Sequence, residues 1–441
     1  MSDAQSQYQA KLLTAVEAAD SIEDRSNLIL AMGVAMPPVF MQALADRVRG
    51  GSGLSRLKLF YMHANAAAAE TILSEDLMHV LELHSLFMSG FERKFDAEGR
   101  KKGQNWIQFV PCMFHQAGRL LSEQIEPDCF VATVSPMDRS GHFSLGTNAD
   151  YGATLIRRAK RVIVEVNQHM PRSFGENLLH ISQVSGIVEH NTPLMEVPDA
   201  HPTEEDRKIA QLISEEILDG ATIQMGVGGV PASVVEALSD HNDLGLHSEL
   251  LSPPMTELIR KGVITGRHKT LMRYKHVFTL ALGNAEMCDF MHDNPSIVGY
   301  PATWVNNPAV IRKNTRMISV NGALQIHLMG QINSETLDGH QFSGTGGQLD
   351  FVRGAYLAPN GKSFVAIRST AQKGTVSRIV PMLNAAAVTD PRMDTHFVVT
   401  EFGKVNLKGL SLSERADALI EIAHPDFRDE LRDSHRSNRL G

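Results

Sequence analysis

Short, mainly apolar β-like runs alternate along this chain with longer stretches of helical spacing. CFVATV (129–134) and RVIVEV (161–166) are two such runs, and the helix-like segment ADYGATLIRRA (149–159) separates them. That alternation predicts βαβ units wound around a mostly parallel sheet. The charged, glycine-containing stretch RKFDAEGRKKGQN (93–105) reads as an exposed loop. HNTPLMEVPDAHPTEED (190–206) holds Pro193, Pro198 and Pro202 among polar residues and reads as a linker, which divides the chain into domains at 1–198 and 199–441. Directly after it Thr203 can cap a helix, with Asp206 at the third helical position and Ile209, Leu212, Ile213 and Ile217 at helical spacing up to the stop at Asp219-Gly220. A strand ATIQM (221–225), a loop GVGGVP (226–231) and a helix ASVVEAL (232–238) follow. FVAIRST (364–370), TVSRIVP (375–381) and HFVVTEFG (396–403) repeat the strand signal, and the amphipathic segments LSERADALIEIA (412–423) and PDFRDELRDSHR (425–436) close the chain.

Composition narrows the function classes. With 43% hydrophobic and 21% charged residues in 441, the chain can bury a large core, which excludes disordered and collagen-like material. No apolar run reaches 18 residues, so no membrane span is expected. The start, MSDAQSQYQAKLLTAVEAAD, carries an acid at position 3 and no apolar core, so it does not read as a signal peptide, and the expected location is the cytoplasm. A net charge of −8 without a basic stripe speaks against nucleic-acid binding. Three cysteines, Cys112, Cys129 and Cys288, with no CxxC, read as buried thiols in a reducing compartment. The 19 histidines include no HExxH and no pair at convincing ligand spacing, so no metal is expected.

Four features could carry chemistry. Gly226, Gly228 and Gly229 lie between a strand and a helix, where bare backbone and free N–H groups can cradle a phosphate or an oxyanion. The pattern is GxGGxP, which matches neither a dinucleotide fingerprint nor a Walker loop, and a tight turn without ligand explains it equally well. Glu249, in DLGLHSELLS, follows a short β-like stretch, and ligands bind beyond the carboxyl ends of strands in α/β sheets. A desolvated carboxylate beside oxyanion donors can act as a nucleophile; a surface glutamate in a loop is the bland alternative. In QFSGTGGQLDFVRGA (341–355), Gly344, Gly346 and Gly347 bracket Thr345 and can form an anion nest or a flexible hairpin. Asn306 and Asn307, before Pro308, can donate an amide to a site or cap a helix, with capping expected of at least one.

Together these motifs resemble the acetyl-CoA hydrolase/transferase family, in the branch that contains 4-hydroxybutyrate CoA-transferase. The resemblance runs through VSPMDRSGHFSLG, VIVEVNQHMPRSFGENLLH, GVGGVP, GLHSELLS, QINSET, SGTGGQLDFVRGA, STAQKGTVSRIVP, VTEFGKVNLKGLSLSERA and IAHPDFR, in order and over most of the chain. It implies two open α/β domains with mostly parallel sheets, the CoA-transferase fold, and an active site in the interdomain cleft. It also implies that Glu249 is the nucleophile, that Asn306 is an active-site amide, and that Gly347 supplies an oxyanion N–H. Gly226, Val227, Gly228, Gly229 and Val230 match the CoA-binding loop, with Gly344 and Gly346 in the second glycine loop. The family often has a lysine near Gln372 that contacts CoA, and here the lysine is Lys373, one place along. LLSPPM after Glu249 departs from the commoner SDG-type continuation.

The implied reaction moves CoA between short-chain carboxylates (4-hydroxybutyrate, butyrate or acetate) by ping-pong steps through a glutamyl-CoA thioester. Acyl-CoA and the carboxylic acids are the expected partners, CoA being a substrate with no permanently bound cofactor, and a homodimer or higher homo-oligomer is the expected assembly. A succinate/itaconate-type dicarboxylate transferase, an acyl-CoA hydrolase, and a non-catalytic sensor of CoA or a sugar phosphate are the alternatives. A nicotinamide dehydrogenase fails on the missing GxGxxG. The loop GVAMPPVF (33–40) can line the acyl pocket or be an ordinary strand-to-helix turn.

Overall fold

The computed structural model describes residues 3–51, 53–198 and 201–438. The chain separates into two compact units, one of Met1–Val197 with Phe278–Trp304 and one of Pro198–Val277 with Val305–Gly441. The break after Val197 lies beside the expected division at 198, while Phe278–Trp304, inside the expected second domain 199–441, groups with the first unit. There Tyr300 N donates to Phe278 O and Ala302 N to Asp150 O, both at 3.0 Å. Within the expected linker, Asp199 and Ala200 lie outside the described residues. Val197 N donates to Gly283 O (2.9 Å), and the Glu196 carboxylate accepts from Ala285 N (3.0 Å), so this end of the segment is pinned.

The first unit is built on a seven-stranded sheet of β1 (Asn27–Leu30), β2 (Leu57–Tyr61), β3 (Leu81–Ser85), β4 (Ile107–Phe109), β5 (Cys129–Val134), β6 (Arg161–Val166) and β7 (Gly186–Glu189). The order is β7-β6-β5-β1-β2-β3-β4 and every pairing is parallel. All six residues of β5 are buried, which is why its sequence is apolar apart from Thr133 and does not alternate. Helix α1 (Pro38–Arg49) starts on a proline, which suits a first turn whose N–H groups have no helical partner. It lays Phe40, Met41, Leu44 and Val48 in one core with Leu28, Leu30 and Leu59 of the sheet. The strand order reverses between β1 and β5, the place where open α/β sheets form a ligand crevice. The loop 33–40 leaves β1 at that point through a single 3₁₀ turn, Gly33–Ala35. From this loop Val34 lines a cavity of about 320 Å³ within the unit, with Thr147, His169, Cys288 and His292.

Residues 93–105 are not the expected loop. Helix α2 runs from Gly90 to Lys101, opened by Ser89, whose hydroxyl accepts from Phe91 N while the Glu92 carboxylate accepts from Ser89 N. The buried positions are Glu92, Asp96 and Gly99, a helical period occupied by acids and a glycine, so no hydrophobic stripe shows in the sequence. Gly99 lets Trp106 pack on the helix, with a Cβ there only 2.8 Å from the indole, and Phe95 stacks on the same ring. The segment 149–159 holds only one helical turn, Gly152–Leu155.

The second unit carries a six-stranded sheet of β8 (Thr222–Met225), β9 (Gly245–Leu246), β10 (Met317–Gly322), β11 (Lys362–Ala366), β12 (Phe397–Thr400) and β13 (Gly403–Asn406), in the order β9-β8-β10-β11-β12-β13. All pairs are parallel except β12–β13. Helix α3 (Glu204–Ser214) has the expected Thr203–Asp206 capping box. Helix α4 (Gly229–Ala237) starts three residues earlier than ASVVEAL suggests, and α5 (Gln348–Leu357) follows the second glycine loop. The terminal helices Leu412–Glu421 and Arg428–Asn438 contribute Leu419, Ile420 and Leu431 to a core with Val365 and Val398. Among the described residues, no helix is long and apolar enough to cross a membrane.

Candidate active site

Both glycine loops lie in the second unit, each between a strand and the start of a helix. After β8, Gly226 N donates to Val320 O (2.8 Å) and Gly228 turns the chain with φ +114°, a backbone that side chains rarely adopt. Gly228 is the cap of α4, so Gly229 and Val230 form its first turn and their N–H groups have no helical acceptor. Val227 is exposed at the tip and Val230 is buried. Gly229 is needed for space: a Cβ there would lie 2.7 Å from Asp206 Oδ2. Asp206 is fully buried, accepts from Thr203 N, and takes both Nε and Nη2 of Arg368 at 2.7 and 2.6 Å. A single carboxylate therefore caps α3, holds Arg368 and supports the loop.

In the second loop Gly344, Gly346 and Gly347 are all buried, and the residues after them form α5, which excludes a hairpin at 344–347. Two carboxylates clamp the loop. Thr345 Oγ1 donates to Glu335 (2.8 Å) and Gln348 Nε2 to Asp390 (2.7 Å). Burial raises the pKa of both acids, Asp390 to about 7. Gly347 caps α5 at φ −97°, a conformation open to any residue, so its requirement is steric. A Cβ at Gly347 would overlap Glu249 Oε2 and Asn306 Nδ2.

That overlap marks where three of the expected residues meet. Glu249 follows β9, half-buried, with its carboxyl turned toward the start of α5. Asn306 Nδ2 donates to Glu249 Oε2 at 2.5 Å, and Gly347 N–H donates to the same carboxylate. Asn306 is fully buried, whereas Asn307 caps the short helix Pro308–Ile311 by accepting from Ala309 N (2.9 Å). Each of the two roles open to the pair is thus taken by one of them. Burial pushes the Glu249 carboxyl up to about 7; Asn306 and Gly347 pull it down and the nearby Asp350 raises it. Among the described residues no cation pairs with Glu249. Lys373 sits exposed at φ +59° on the turn joining Thr370–Ala371 to Val376–Ser377.

Several residues around the site carried no sequence signal of their own. His247, two places before Glu249, is fully buried with Nε2 2.8 Å from Val305 O. Lys269 is buried and donates to Leu246 O and Lys275 O, both at 2.7 Å. Glu335 lies in the quoted motif QINSET, but neither it nor Asp390 is marked as buried by its neighbours in sequence.

Comparison with known proteins identifies the family of the chain. The acetyl-CoA hydrolase/transferase N-terminal domain profile matches residues 1–198 and the C-terminal domain profile matches 283–435. The 4-hydroxybutyrate coenzyme A transferase of Clostridium kluyveri is 39% identical over 426 residues, covering 96% of this chain and 97% of its own. The alignment thus reaches well beyond the two matched segments, which leave out the loop 226–230 and Glu249. Among solved structures, RipA from Yersinia pestis superposes with a TM-score of 0.96 at 46% identity over 100% of both chains. The 4-hydroxybutyrate CoA-transferase of Porphyromonas gingivalis does so with a TM-score of 0.80 at 34% identity, over 98% of this chain and 99% of its own. The chain belongs to the acetyl-CoA hydrolase/transferase family and is a CoA-transferase.

Proposed function

We propose that this enzyme transfers CoA between short-chain carboxylic acids, with Glu249 as the covalent carrier. The observation that carries the reading is the convergence of Asn306 Nδ2 and Gly347 N–H on a carboxylate that burial destabilises and that no cation compensates among the described residues. Such a carboxylate is poorly solvated and more basic than usual, both of which favour attack on a thioester.

The steps are those that the family resemblance implies, and that geometry supports them. A Glu249 oxygen adds to the acyl-CoA carbonyl and the C–S bond breaks, leaving an acyl-glutamyl anhydride and CoA thiolate. The thiolate then adds to the Glu249 carboxyl carbon, and the charge that develops on its oxygen falls where Asn306 and Gly347 donate. Collapse expels the donor acid and leaves a glutamyl-CoA thioester. The acceptor carboxylate attacks that thioester, the thiolate returns to the acyl carbon, and Glu249 is regenerated. One thioester is broken and one is made, so the energy is conserved without a nucleotide. Gly226–Val230, Gly344, Gly346 and Lys373 are assigned to holding CoA. The free N–H groups at the start of α4 suit its phosphate oxygens.

The test is intact-protein mass after mixing with acetyl-, butyryl- or succinyl-CoA and no acceptor, followed by peptide mapping. A CoA adduct on Glu249 is expected, and the fastest donor distinguishes a monocarboxylate from a dicarboxylate substrate. Binding of CoA with no adduct from any donor would overturn the covalent reading in favour of a sensor. CoA release without acceptor as fast as exchange would make the enzyme a hydrolase.

A further inference from the structure

His247 touches all three elements that assemble the Glu249 site. Its own backbone is anchored between strands, with His247 N donating to Ile223 O (3.2 Å) and Ser248 N to Val277 O (3.0 Å), and Glu249 is the next residue along. The imidazole Nε2 lies 2.8 Å from Val305 O, the carbonyl of the peptide plane that leads into Asn306. A carbonyl can only accept, so the proton is on Nε2. On its other side the ring packs against Phe351 of α5, 6.3 Å between centroids at 60°, in the turn after the one that presents Gly347 N–H. The side chain is fully buried, and burial together with the Lys269 ammonium keeps it neutral, with its pKa down at about 3.

We infer that His247 is a positioning residue, whose hydrogen bond to the Val305 carbonyl and packing on Phe351 hold Asn306 and Gly347 in register with Glu249. The inference rests on Glu249 being the covalent carrier. An apolar side chain of similar size could fill the space but would leave the Val305 peptide free to rotate. The Asn306 amide would then lose its alignment on Oε2. Glutamine can place an N–H near the position of Nε2, so it separates the hydrogen bond from mere occupancy.

The experiment compares His247→Leu and His247→Gln with the wild type by the rate of CoA adduct formation, its pH profile, and KM for acyl-CoA. The leucine variant is expected to form adduct about 100-fold more slowly, the scale of a misplacement near 1 Å, with KM unchanged. Its pH profile should move to higher pH, because the Asn306 hydrogen bond holds the Glu249 pKa down against burial and Asp350. Glutamine should recover most of the rate and return the profile. Should the leucine variant not fold, His247→Met takes its place. A wild-type rate and profile in the apolar variant, or a glutamine variant no better than the apolar one, would overturn the inference. An adduct mapped away from Glu249 in the wild type would instead remove the reading beneath it.

Discussion

Gly347→Ala isolates the steric logic of the site. At φ −97° and ψ 9° the backbone accepts alanine without strain, so the whole cost arises from what the new methyl meets. It would fall on Glu249 Oε2 and Asn306 Nδ2, and reopening ordinary van der Waals separation requires the carboxylate to retreat by more than about 1 Å. Overpacking of this kind costs about 1–3 kcal/mol of stability. Losing alignment with one preorganised donor slows chemistry by roughly 10²–10³-fold. Adduct formation followed by mass should therefore drop by at least two orders of magnitude, while CoA affinity changes little. The control is a double-mutant cycle: with Glu249→Ala already present the overlap with Oε2 is gone and only that with the Asn306 amide remains, so the stability cost of Gly347→Ala should shrink by more than about 1 kcal/mol. An equal cost in both backgrounds, or an adduct rate near that of the wild type, would refute the claim that this glycine exists to admit the carboxylate.

Four further outcomes follow from the same geometry. The attacking form of Glu249 is ionised, so adduct formation should climb with pH through about 7 and level off above it. Because the folded pKa lies above the unfolded one, ionising Glu249 costs stability progressively as pH rises from the ordinary carboxylate range to about 7, and the cost is fully present above that. Glu249→Gln should thus gain stability over the wild type from pH 5 to pH 8, reaching roughly 3 kcal/mol, measurable by urea unfolding at both pH values. Asn306→Ala should slow adduct formation without changing CoA binding; Asn307→Ala should lose about 1 kcal/mol of stability as a cap and leave the adduct rate intact. Gly228→Val has open space but a φ of +114°, so it should strain the loop and weaken CoA binding as read by calorimetry, with the Glu249 site unaltered.

The parts of this structure that were legible in the sequence are those whose signal is local. The run CFVATV coincides with β5 because both faces of a central strand are buried, and Thr203–Asp206 coincides with a capping box because its partners are three residues apart. The charged helix α2 was hidden, since its inward positions are Glu92, Asp96 and Gly99, which bury themselves by hydrogen bonds and by admitting a tryptophan. The return of Phe278–Trp304 to the first unit depends on pairings across more than a hundred residues, which no window along the chain can contain. The site divides the same way. Glu249 and the glycines were visible as motifs, but which asparagine of the 306–307 pair serves chemistry was decided only by what stands opposite: a carboxylate 57 residues away for one, the N–H of Ala309 for the other.

The buried polar groups around Glu249 take that argument one step further. Lys269, Asp390 and His247 look in sequence like ordinary surface residues, and in the fold they are among its least exposed side chains. Each would be costly if left unsatisfied, and the Lys269 ammonium is held by two backbone carbonyls while Asp390 accepts from the side chain of Gln348. His247 in turn donates to Val305 O. Their bonds end on the segments that carry the reacting groups: Leu246 before Glu249, Val305 before Asn306, and Gln348 after Gly347. An apolar core could pack those segments equally well, but it would not fix the direction of an N–H or an amide. Aiming two donors at one carboxylate requires directional bonds, and this site draws them from residues that a hydrophobicity pattern reads as surface.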